Sequence, residues 1–324
     1  MNYGFKHAAG DLTVVVPNGG DIGNYNIGSD PVPAAEDPIK EVGVRILIAE
    51  GKTKKIYQYP GSTKLVIIKS KDNISAGNGV RHDVIEGKGV LATNTTCNVF
   101  RLLQSHNIPL AFKERIKDLE MSNRDDLFLA ERCKMIALEV VVRRIALGSY
   151  CMRNPSVQKG ACLPELIVEF FLKTTDKKWE GQDLPIDDPL MQYDESTGKV
   201  KLYLPNKPIE EQKPFLELED FPLKGQPELK EKIELISKKV FTILEDEWKK
   251  QECELGDFKL EYGLTLDNEL KLADVIDNCS WRLRKNGKHL DKQPYREGAT
   301  LEKTKELYTL VSEMTSLFTT KLNQ

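Results

Sequence analysis

The residues of this chain whose types and spacing best suit chemistry lie in the stretch 257–282. Apolar and charged residues alternate along residues 257–264, a pattern typical of a half-buried β-strand with one charged face. If Asp267 and Asn268 form a two-residue hairpin loop, Glu261 lies directly opposite Asp274 on that face. Carboxylates opposed in this way destabilise a sheet unless a cation lies between them, so the pair predicts a divalent metal held by oxygen ligands.

Two basic residues of the same stretch, Lys259 and Arg282, extend this interpretation. A nucleoside triphosphate site combines carboxylates that hold a metal with basic side chains that contact phosphate. In the alternative interpretation the turn is looser, the register shifts, and the charges are solvated on an edge strand. The other face of the strand is predicted to be core and comprises Phe258, Leu260, Tyr262, Leu264 and Leu266.

A glycine-containing hairpin is predicted at residues 50–54, whose sequence is EGKTK. It lies between two strand-like runs and does not precede a helix, so it is not a phosphate loop of the Walker type. In such a hairpin Lys52 and Lys54 project to the same side, and Gly51 allows the backbone to approach a phosphate. An ordinary surface turn with two lysines is the alternative.

Two further stretches have residues that suit anion binding. Residues 75–79 (SAGNG) form a glycine-rich turn with a hydroxyl and free backbone amides, although an ordinary loop has the same composition. Arg143 ends an apolar run and precedes Gly148 and Ser149, which suits a phosphomonoester because a guanidinium binds phosphate through two hydrogen bonds. A strand-terminal arginine paired with a structural carboxylate is the competing explanation for Arg143.

The composition limits the class of protein. A chain of 324 residues with 40% hydrophobic and 30% charged residues can bury the cores of two lobes or of one large α+β unit. The net charge of −3 provides no basic field for nucleic acid, and no apolar run is long enough for a membrane span. The six cysteines show no C-x-x-C spacing and the four histidines are scattered. We therefore expect reduced thiols, no zinc site of the usual type, and a cytoplasmic location.

Periodicity predicts the elements that must position these residues. Residues 1–42 are rich in Gly, Asn, Asp and Pro and are expected to form a flexible extension. Residues 173–225 show no lasting pattern and are expected to be an irregular surface excursion. Strands are predicted at residues 44–49, 56–57, 65–69, 135–144 and 166–172, and helices at residues 83–107, 227–248 and 300–322. We expect the last helix to bury Leu307, Leu310, Val311, Met314, Leu317 and Phe318.

Five segments, taken together and in order, resemble the phosphoribosylaminoimidazole-succinocarboxamide synthase (SAICAR synthase) family. They are residues 50–54, 75–79, 138–149, 257–263 and 273–283. The resemblance runs from residue 44 to the C-terminus and looks most like the synthase half of the animal bifunctional enzyme, whose carboxylase domain we expect to be absent. It implies an α+β fold with two lobes, antiparallel sheets, a kinase-like nucleotide cleft and C-terminal helices. The N-terminal nucleotide-binding lobe is expected at residues 43–130, and the C-terminal lobe, with the substrate site and the metal hairpin, at residues 131–324.

The resemblance also implies an activity: ATP- and Mg²⁺-dependent ligation of L-aspartate to carboxyaminoimidazole ribonucleotide (CAIR) in purine synthesis. ATP would convert the carboxylate of CAIR to an acyl phosphate, and the amine of aspartate would displace phosphate. Such a ligase aligns its reactants and neutralises charge without a covalent nucleophile. Its partners are these small molecules, and neither nucleic acid nor a membrane. A homo-oligomer is compatible with the sequence.

The matching positions carry roles over from the family residue by residue. ATP would contact Gly51, Lys52, Lys54, Glu139 and Lys259, with Glu139 near the adenine base. Mg²⁺ would be held by Glu261 and Asp274, and these two residues with Lys259 would form the catalytic group. CAIR and aspartate would contact Ser75, Gly77, Arg143, Ser149, Arg282 and Arg296.

Three sites depart from the family pattern. Cys279 stands where an aspartate is usual, Thr174 and Thr175 follow Lys173 where an acidic residue is usual, and Asn94 replaces a lysine. The alternative function is therefore a diverged, weakly active or inactive paralogue that binds nucleotide and acts as a binding or interaction protein. A protein or small-molecule kinase is disfavoured because the sequence has neither an H-R-D nor a D-F-G motif.

Overall fold

The structure is a computed structural model that describes residues 45–77, 80–118, 121–223 and 225–318. The extension predicted for residues 1–42 lies outside the described residues, and so does the end of the last predicted helix beyond residue 318. Among the helices in the described part of the chain, none is both long enough and apolar enough to cross a membrane.

The first half of the chain contributes a five-stranded antiparallel sheet. Its strands are β1 (Leu47–Glu50), β2 (Lys54–Gln58), β3 (Leu65–Ser70), β6 (Phe112–Ile116) and β7 (Leu127–Glu131). They lie in the order β1-β2-β3-β7-β6, which confirms the antiparallel sheet predicted from residues 44–69. Val66 and Ile68 point to the main core, whereas Tyr57 and Ile67 belong to a small apolar cluster on the other face.

A short hairpin and a helix separate β3 from β6. The hairpin consists of β4 (Asn73–Ala76) and β5 (Arg81–Val84), and helix α1 spans Lys88–Ser105. The prediction of a helix from residue 83 was wrong at its start. Gly87 turns the chain with a φ of 85°, and the carboxylate of Asp72 accepts the N–H groups of Gly87 and Gly89, so the helix begins at Lys88.

The second half of the chain forms a nine-stranded sheet around two long strands. These are β8 (Cys133–Ile145) and β15 (Cys253–Thr265), which pair antiparallel in its centre. The other strands are β9 (Cys162–Leu172), β12 (Leu190–Asp194), β13 (Lys199–Tyr203), β14 (Leu216–Leu218), β16 (Leu270–Leu272), β17 (Trp281–Lys285) and β18 (Lys288–His289). The order is β14-β13-β12-β9-β8-β15-β17-β18, and β16 pairs with β15.

The irregular excursion predicted for residues 173–225 was wrong for much of its length. A two-stranded hairpin, β10 (Lys178–Trp179) with β11 (Gln182–Asp183), is followed by β12, β13 and β14, which extend the large sheet, and by a 3₁₀ turn at Ile209–Glu211. Val200 and Leu202 are fully buried. The strands were missed because each is at most five residues long, too short for a periodic pattern to stand out among prolines.

The hairpin of β15 and β16 has a register one residue away from the predicted one. Its loop has three residues, because Thr265 donates its N–H to the carbonyl of Glu269 and Asn268 takes a left-handed conformation with φ of 59°. Tyr262 therefore pairs with Leu272, and the predicted opposition of Glu261 and Asp274 was wrong. Leu266, expected in the core, lies in the loop and is exposed.

Four helices lie in the described part of the second half of the chain, and the longest of them packs on the large sheet. They are α2 (Ser149–Arg153), α3 (Glu228–Lys249), α4 (Gln293–Arg296) and α5 (Leu301–Ser316). Trp248 of α3 packs edge-on against Trp281 and Phe318, so the C-terminal segment closes the main core. Leu310 and Leu317, predicted as core, are exposed because α5 buries only the narrower stripe that faces α1 and α3.

Candidate active site

A ladder of alternating charges lies on one face of β15 and its neighbour β8. Glu261 pairs directly with Glu139, and Lys259 lies between the two carboxylates. Its Nζ is 2.9 Å from Glu261 Oε1 and 3.0 Å from Glu139 Oε2, and Lys173 approaches both carboxylates at 3.4 and 3.5 Å. Glu261 thus lies opposite Glu139 and not opposite Asp274 as predicted, and the cation between the two carboxylates is a lysine.

The charges in this ladder hold one another ionised. Burial alone would raise the pKa of Glu261, but Lys259 and Lys173 outweigh it and lower that pKa to about 2. Burial likewise disfavours the ammonium of Lys259, but Glu139 and Glu261 raise its pKa above the usual range. Around neutral pH the ladder therefore presents fixed positive charge beside fixed carboxylate oxygens.

The second candidate metal ligand, Asp274, pairs with the first lysine-bearing hairpin. Lys54 Nζ forms an ion pair with Asp274 Oδ1 and also lies in the field of Glu261. The β1–β2 hairpin thereby reaches across to the end of the large sheet. Lys52, in the turn of the same hairpin, is exposed.

The donor set around Asp274 and Glu261 fits a hard divalent cation. Among the described residues, no group of three or more His, Cys, Asp or Glu side chains lies close enough together to hold a metal ion with protein ligands alone. Mg²⁺ needs no such cluster, since it commonly takes one or two carboxylates and completes its shell with water and phosphate oxygens. Two half-buried carboxylates beside lysines agree with that chemistry.

A second cluster, built around Asp257, lies two residues before Lys259 on the same strand face. Arg143 donates from NH1 to Asp257 Oδ2 at 2.7 Å and from Nε to Glu169 Oε2 at 2.6 Å, and Arg282 also donates to Asp257. Arg153 donates to the other oxygen of Glu169. The competing explanation for Arg143, a strand-terminal arginine paired with structural carboxylates, is confirmed by these contacts, whereas its role in binding a phosphate stays a prediction.

The turn after β8 packs against this cluster. Gly148 has a φ of 56° and is packed against the guanidinium of Arg282, and Ser149 opens the short helix α2 immediately after it. Tyr150 lies under Arg143, with the guanidinium carbon 5.9 Å from the ring centroid. The structure thus brings Arg143 and Arg282 to the turn that precedes Ser149, and a phosphomonoester contact of these three residues stays a prediction.

The remaining substrate candidates lie in a third group. Ser75 and Gly77 belong to the β4–β5 hairpin, which Arg81 fixes to α4 by hydrogen bonds to the carbonyls of Tyr295 and Ala299. The guanidinium of Arg81 also stacks 4.0 Å from the centre of the Tyr295 ring. Arg296 ends α4 next to this anchor, so the glycine-rich turn and Arg296 are held by one structural unit.

Four charged residues of these clusters were missed by sequence reasoning. Asp257 was visible in the alternating pattern of β15 but received no role, and Lys173, Glu169 and Arg153 follow or lie beside apolar runs with no recognisable spacing. Their partners are between 15 and 114 residues away in the chain, so only the tertiary structure reveals them. The predicted adenine contact of Glu139 stays a prediction, and its carboxylate lies among the lysines.

The unusual residues at positions 174 and 279 have defined partners. Thr174 exchanges hydrogen bonds with Asp188 and donates from Oγ1 to Asp187. The segment between β11 and β12 thereby supplies acidic groups beside Lys173, which is followed by threonines in the sequence. Cys279 lies with its Sγ 3.1 Å from the hydroxyl of Tyr308 and donates its backbone N–H to Asp277. The carboxylate usual at position 279 is therefore replaced by a neutral pair.

Comparison with known proteins agrees with these arrangements. A family model described as SAICAR synthetase matches residues 47–313. The phosphoribosylaminoimidazole-succinocarboxamide synthase of Herpetosiphon aurantiacus is 35% identical over 281 residues, which cover 84% of this chain and 97% of that protein. The probable multifunctional protein ADE2 of Caenorhabditis elegans is also 35% identical, over 285 residues, and this chain spans only 58% of its length.

A solved structure supports the same assignment. SAICAR synthetase (Type-2) in complex with ADP superimposes with a TM-score of 0.62 at 27% identity, and the match covers 82% of this chain and 96% of that one. The α+β class predicted from the sequence is confirmed by this likeness. Because the family model spans well over half of the residues and a bacterial relative is matched along almost its whole length, the chain belongs to the SAICAR synthetase family.

Proposed function

We propose that this chain ligates L-aspartate to CAIR with the consumption of ATP, giving SAICAR, ADP and phosphate. The observation that carries the proposal is the spacing of Asp257, Lys259 and Glu261 on one face of β15. Alternate residues of a strand are about 7 Å apart. One strand therefore links the arginine cradle around Asp257 to the lysine and carboxylate ladder around Glu261, which suits a ribonucleotide phosphate at one end and a nucleotide triphosphate at the other.

The chemistry follows from the charges at the two ends. Arg282, Arg143 and Ser149 would hold the phosphate of CAIR, and its carboxylate oxygen would attack the γ-phosphorus of ATP while the bond to ADP breaks. The aspartate amine would then attack the acyl carbon, lose a proton and expel phosphate. Lys54 and Lys259 supply positive charge next to the transferring phosphoryl group, and the rigid strand aligns the reactants.

Glu261 and Asp274 are the residues we propose to hold Mg²⁺. When bound, the ion would neutralise phosphate charge and orient the triphosphate for transfer. Lys54 and Lys259, which pair with these carboxylates in the structure, would then exchange part of those contacts for phosphate oxygens. We also place the activity in the cytoplasm, because all six cysteines are free thiols.

The decisive experiment is a coupled assay of ADP release with ATP, Mg²⁺, CAIR and L-aspartate, and with each component left out in turn. We expect release only when all are present, together with SAICAR detected by mass spectrometry. ADP release that needs neither CAIR nor aspartate would contradict the ligase assignment and indicate a simple ATPase.

The alternative is a paralogue that binds nucleotide without efficient turnover, and the neutral pair of Cys279 and Tyr308 is the observation that favours it. Calorimetric titration with ADP and Mg²⁺ separates the two functions. Tight nucleotide binding without ADP release in the complete assay would support the paralogue. ADP release by the wild type that is faster than ADP release by the Glu261→Gln variant would exclude the paralogue.

A further inference from the structure

Lys88, the first residue of α1, is a buried lysine without a counter-ion. It is only 1% exposed, and throughout the described ranges its Nζ makes no hydrogen bond and has no carboxylate oxygen within 4.0 Å. Its one contact of note is the ring of Tyr308, whose centroid is 5.4 Å from Nζ. A buried ammonium is costly unless it is paired, so this position is expected to attract an anion that the described chain does not supply.

The tip of Lys88 is not sealed in the core. The side-chain nitrogen and oxygen atoms that are completely buried without a partner include atoms of Asn94, Trp248 and Asn278, but not Lys88 Nζ. Since Nζ has no hydrogen bond either, the small exposed area of the residue lies at its charged end. The charged end of Lys88 is therefore the part of this side chain that is open to solvent.

The groups around this ammonium form a small neutral wall. Tyr308 presents its ring to Lys88 and its hydroxyl to the thiol of Cys279, 3.1 Å away. Asp277, the carboxylate of the same turn, accepts the backbone N–H of Cys279 at 2.8 Å and forms no ion pair with Lys88. Among the described residues, no carboxylate oxygen lies within 4.0 Å of Lys88 Nζ, and, besides burial, Asp277 acts on this group of residues by raising the pKa of Tyr308.

The subsite lies next to the turn that leads to Arg282 and next to the Ser75 hairpin. Cys279 lies in the turn that starts at Asp274 and leads to Arg282, and Tyr308 packs with Ala76 and Tyr295 in the apolar cluster beneath the Ser75 turn. Arg296 is close enough to influence the ionisation of Tyr308. An anion held by Lys88 would therefore lie beside the region where the proposed acyl group forms.

We propose that Lys88 binds a carboxylate of the amine substrate, with Tyr308 and Cys279 as the neutral wall of that subsite. The inference rests on the proposed ligase function. A single ammonium with neutral neighbours matches the single charge of a carboxylate better than the higher charge of a phosphate. The proposed sites for the phosphate of CAIR and the phosphates of ATP are already supplied by the arginine and lysine clusters. L-aspartate carries two carboxylates, and Lys88 accounts for one of them.

The test compares Lys88→Met with the wild type in the complete assay. We expect the KM for L-aspartate to rise by about 10- to 100-fold, the usual effect of losing a hydrogen bond to a charged group, while the KM for ATP stays within about 2-fold. Lys303→Met is the matched control, because Lys303 is an exposed lysine on α5 paired only with Glu306. The control should leave all three KM values unchanged.

Thermal stability separates a binding role from a structural one. Replacing an unpaired buried charge by an apolar side chain of similar size is neutral or stabilising, so the melting temperature of Lys88→Met should not fall. Lys88→Gln serves as a second variant with a polar tip. If both variants unfold, or if Lys88→Met is folded and keeps the KM for L-aspartate, the ammonium is structural and the proposal is overturned.

Failure of the proposed function would be visible separately. If the wild type shows no turnover, titration with succinate, a dicarboxylate that cannot react, is performed by calorimetry in the presence of ADP and Mg²⁺. Binding by the wild type that is lost in Lys88→Met supports the subsite in the absence of catalysis. Equal binding or no binding by the two proteins contradicts it.

Discussion

The guanidinium of Arg282 lies against the Cα of Gly148. A methyl group placed on Gly148 would be 2.4 Å from NH2 of Arg282, and the φ of 56° is itself unfavourable for other residues. The glycine therefore allows the turn after β8 to close onto the arginine that shares Asp257 with Arg143. The position of the arginine cradle depends on this contact between two distant segments.

Gly148→Ala should displace Arg282 and weaken binding of the ribonucleotide. We expect the KM for CAIR to rise by about 10-fold or more, since one charge-assisted contact to phosphate is lost, with little change in the KM for ATP. Gly160→Ala is the matched control, because Gly160 also has a positive φ, of 87°, but nothing lies within 4 Å of its added methyl group. Equal effects of the two substitutions on the KM for CAIR would show that backbone strain, and not Arg282, is responsible.

Glu261→Gln should abolish most of the activity while preserving the fold. Lys259 keeps Glu139 as a partner in this variant, so the ladder loses one carboxylate without leaving a lysine unpaired. We expect kcat to fall by about 100-fold, a typical cost of removing one preorganised group from a phosphoryl-transfer site. Glu269→Gln removes an exposed carboxylate from the same hairpin and should have no effect. A Glu261→Gln enzyme with normal kcat would rule out its role at the nucleotide.

Asp72→Asn should show how the start of α1 depends on pH. Burial opposes ionisation of Asp72, but Arg124 and the N–H groups of Gly89 and Gly87 outweigh it and lower its pKa. A carboxyl whose pKa is lower in the folded state stabilises the protein above its unfolded-state pKa of about 4 and loses that effect as the pH falls through the folded-state value. At pH 7 the variant should be about 1–2 kcal/mol less stable, and the difference should shrink below pH 4.

Urea unfolding measured between pH 3 and pH 7 provides this comparison. Asp183→Asn is the control, because Asp183 is an exposed carboxylate near Lys178 and should change stability little at any pH. A stability difference for Asp72→Asn that stays constant across the whole range would mean that the ionised carboxylate does not secure the helix start.

The cysteines should differ sharply in their rates of alkylation. Burial raises the pKa of the Cys97 thiol to about 12 and that of Cys133 to about 11, whereas Cys162 is exposed. Because the thiolate is the reactive form, iodoacetamide at pH 8 should label Cys162 first and Cys97 only after unfolding. Peptide mass spectrometry at timed intervals measures the order, with Cys162→Ser as the control for assignment. Labelling of Cys97 in the native protein at the rate of Cys162 would contradict the packing around α1.

Several elements were predictable because their patterns are local. The alternation along β15 and the apolar stripe of α3 follow from side-chain periodicity within a single segment, and both were confirmed by burial of Phe258, Leu260, Val240 and Leu244. The start of α1 was misplaced because it depends on Asp72, which lies 16 residues before Lys88. The Asp72 carboxylate accepts the N–H groups of Gly87 and Gly89, the two neighbours of Lys88. The short strands β12, β13 and β14 were missed because each is stable only as an addition to the sheet edge.

For the candidate site, the sequence by itself determined that one face of residues 257–261 is charged, because side chains of a strand alternate with a period of two. The resemblance to the family also predicted which residues carry the chemistry, and that assignment stays a prediction. Tertiary structure alone decided which charges are partners. A loop one residue longer than expected moved Asp274 out of register with Glu261, and pairing with β8 placed Glu139, 120 residues from Lys259, in the ladder instead. Strand pairing joins residues that are distant in the chain, so no local pattern can specify those contacts.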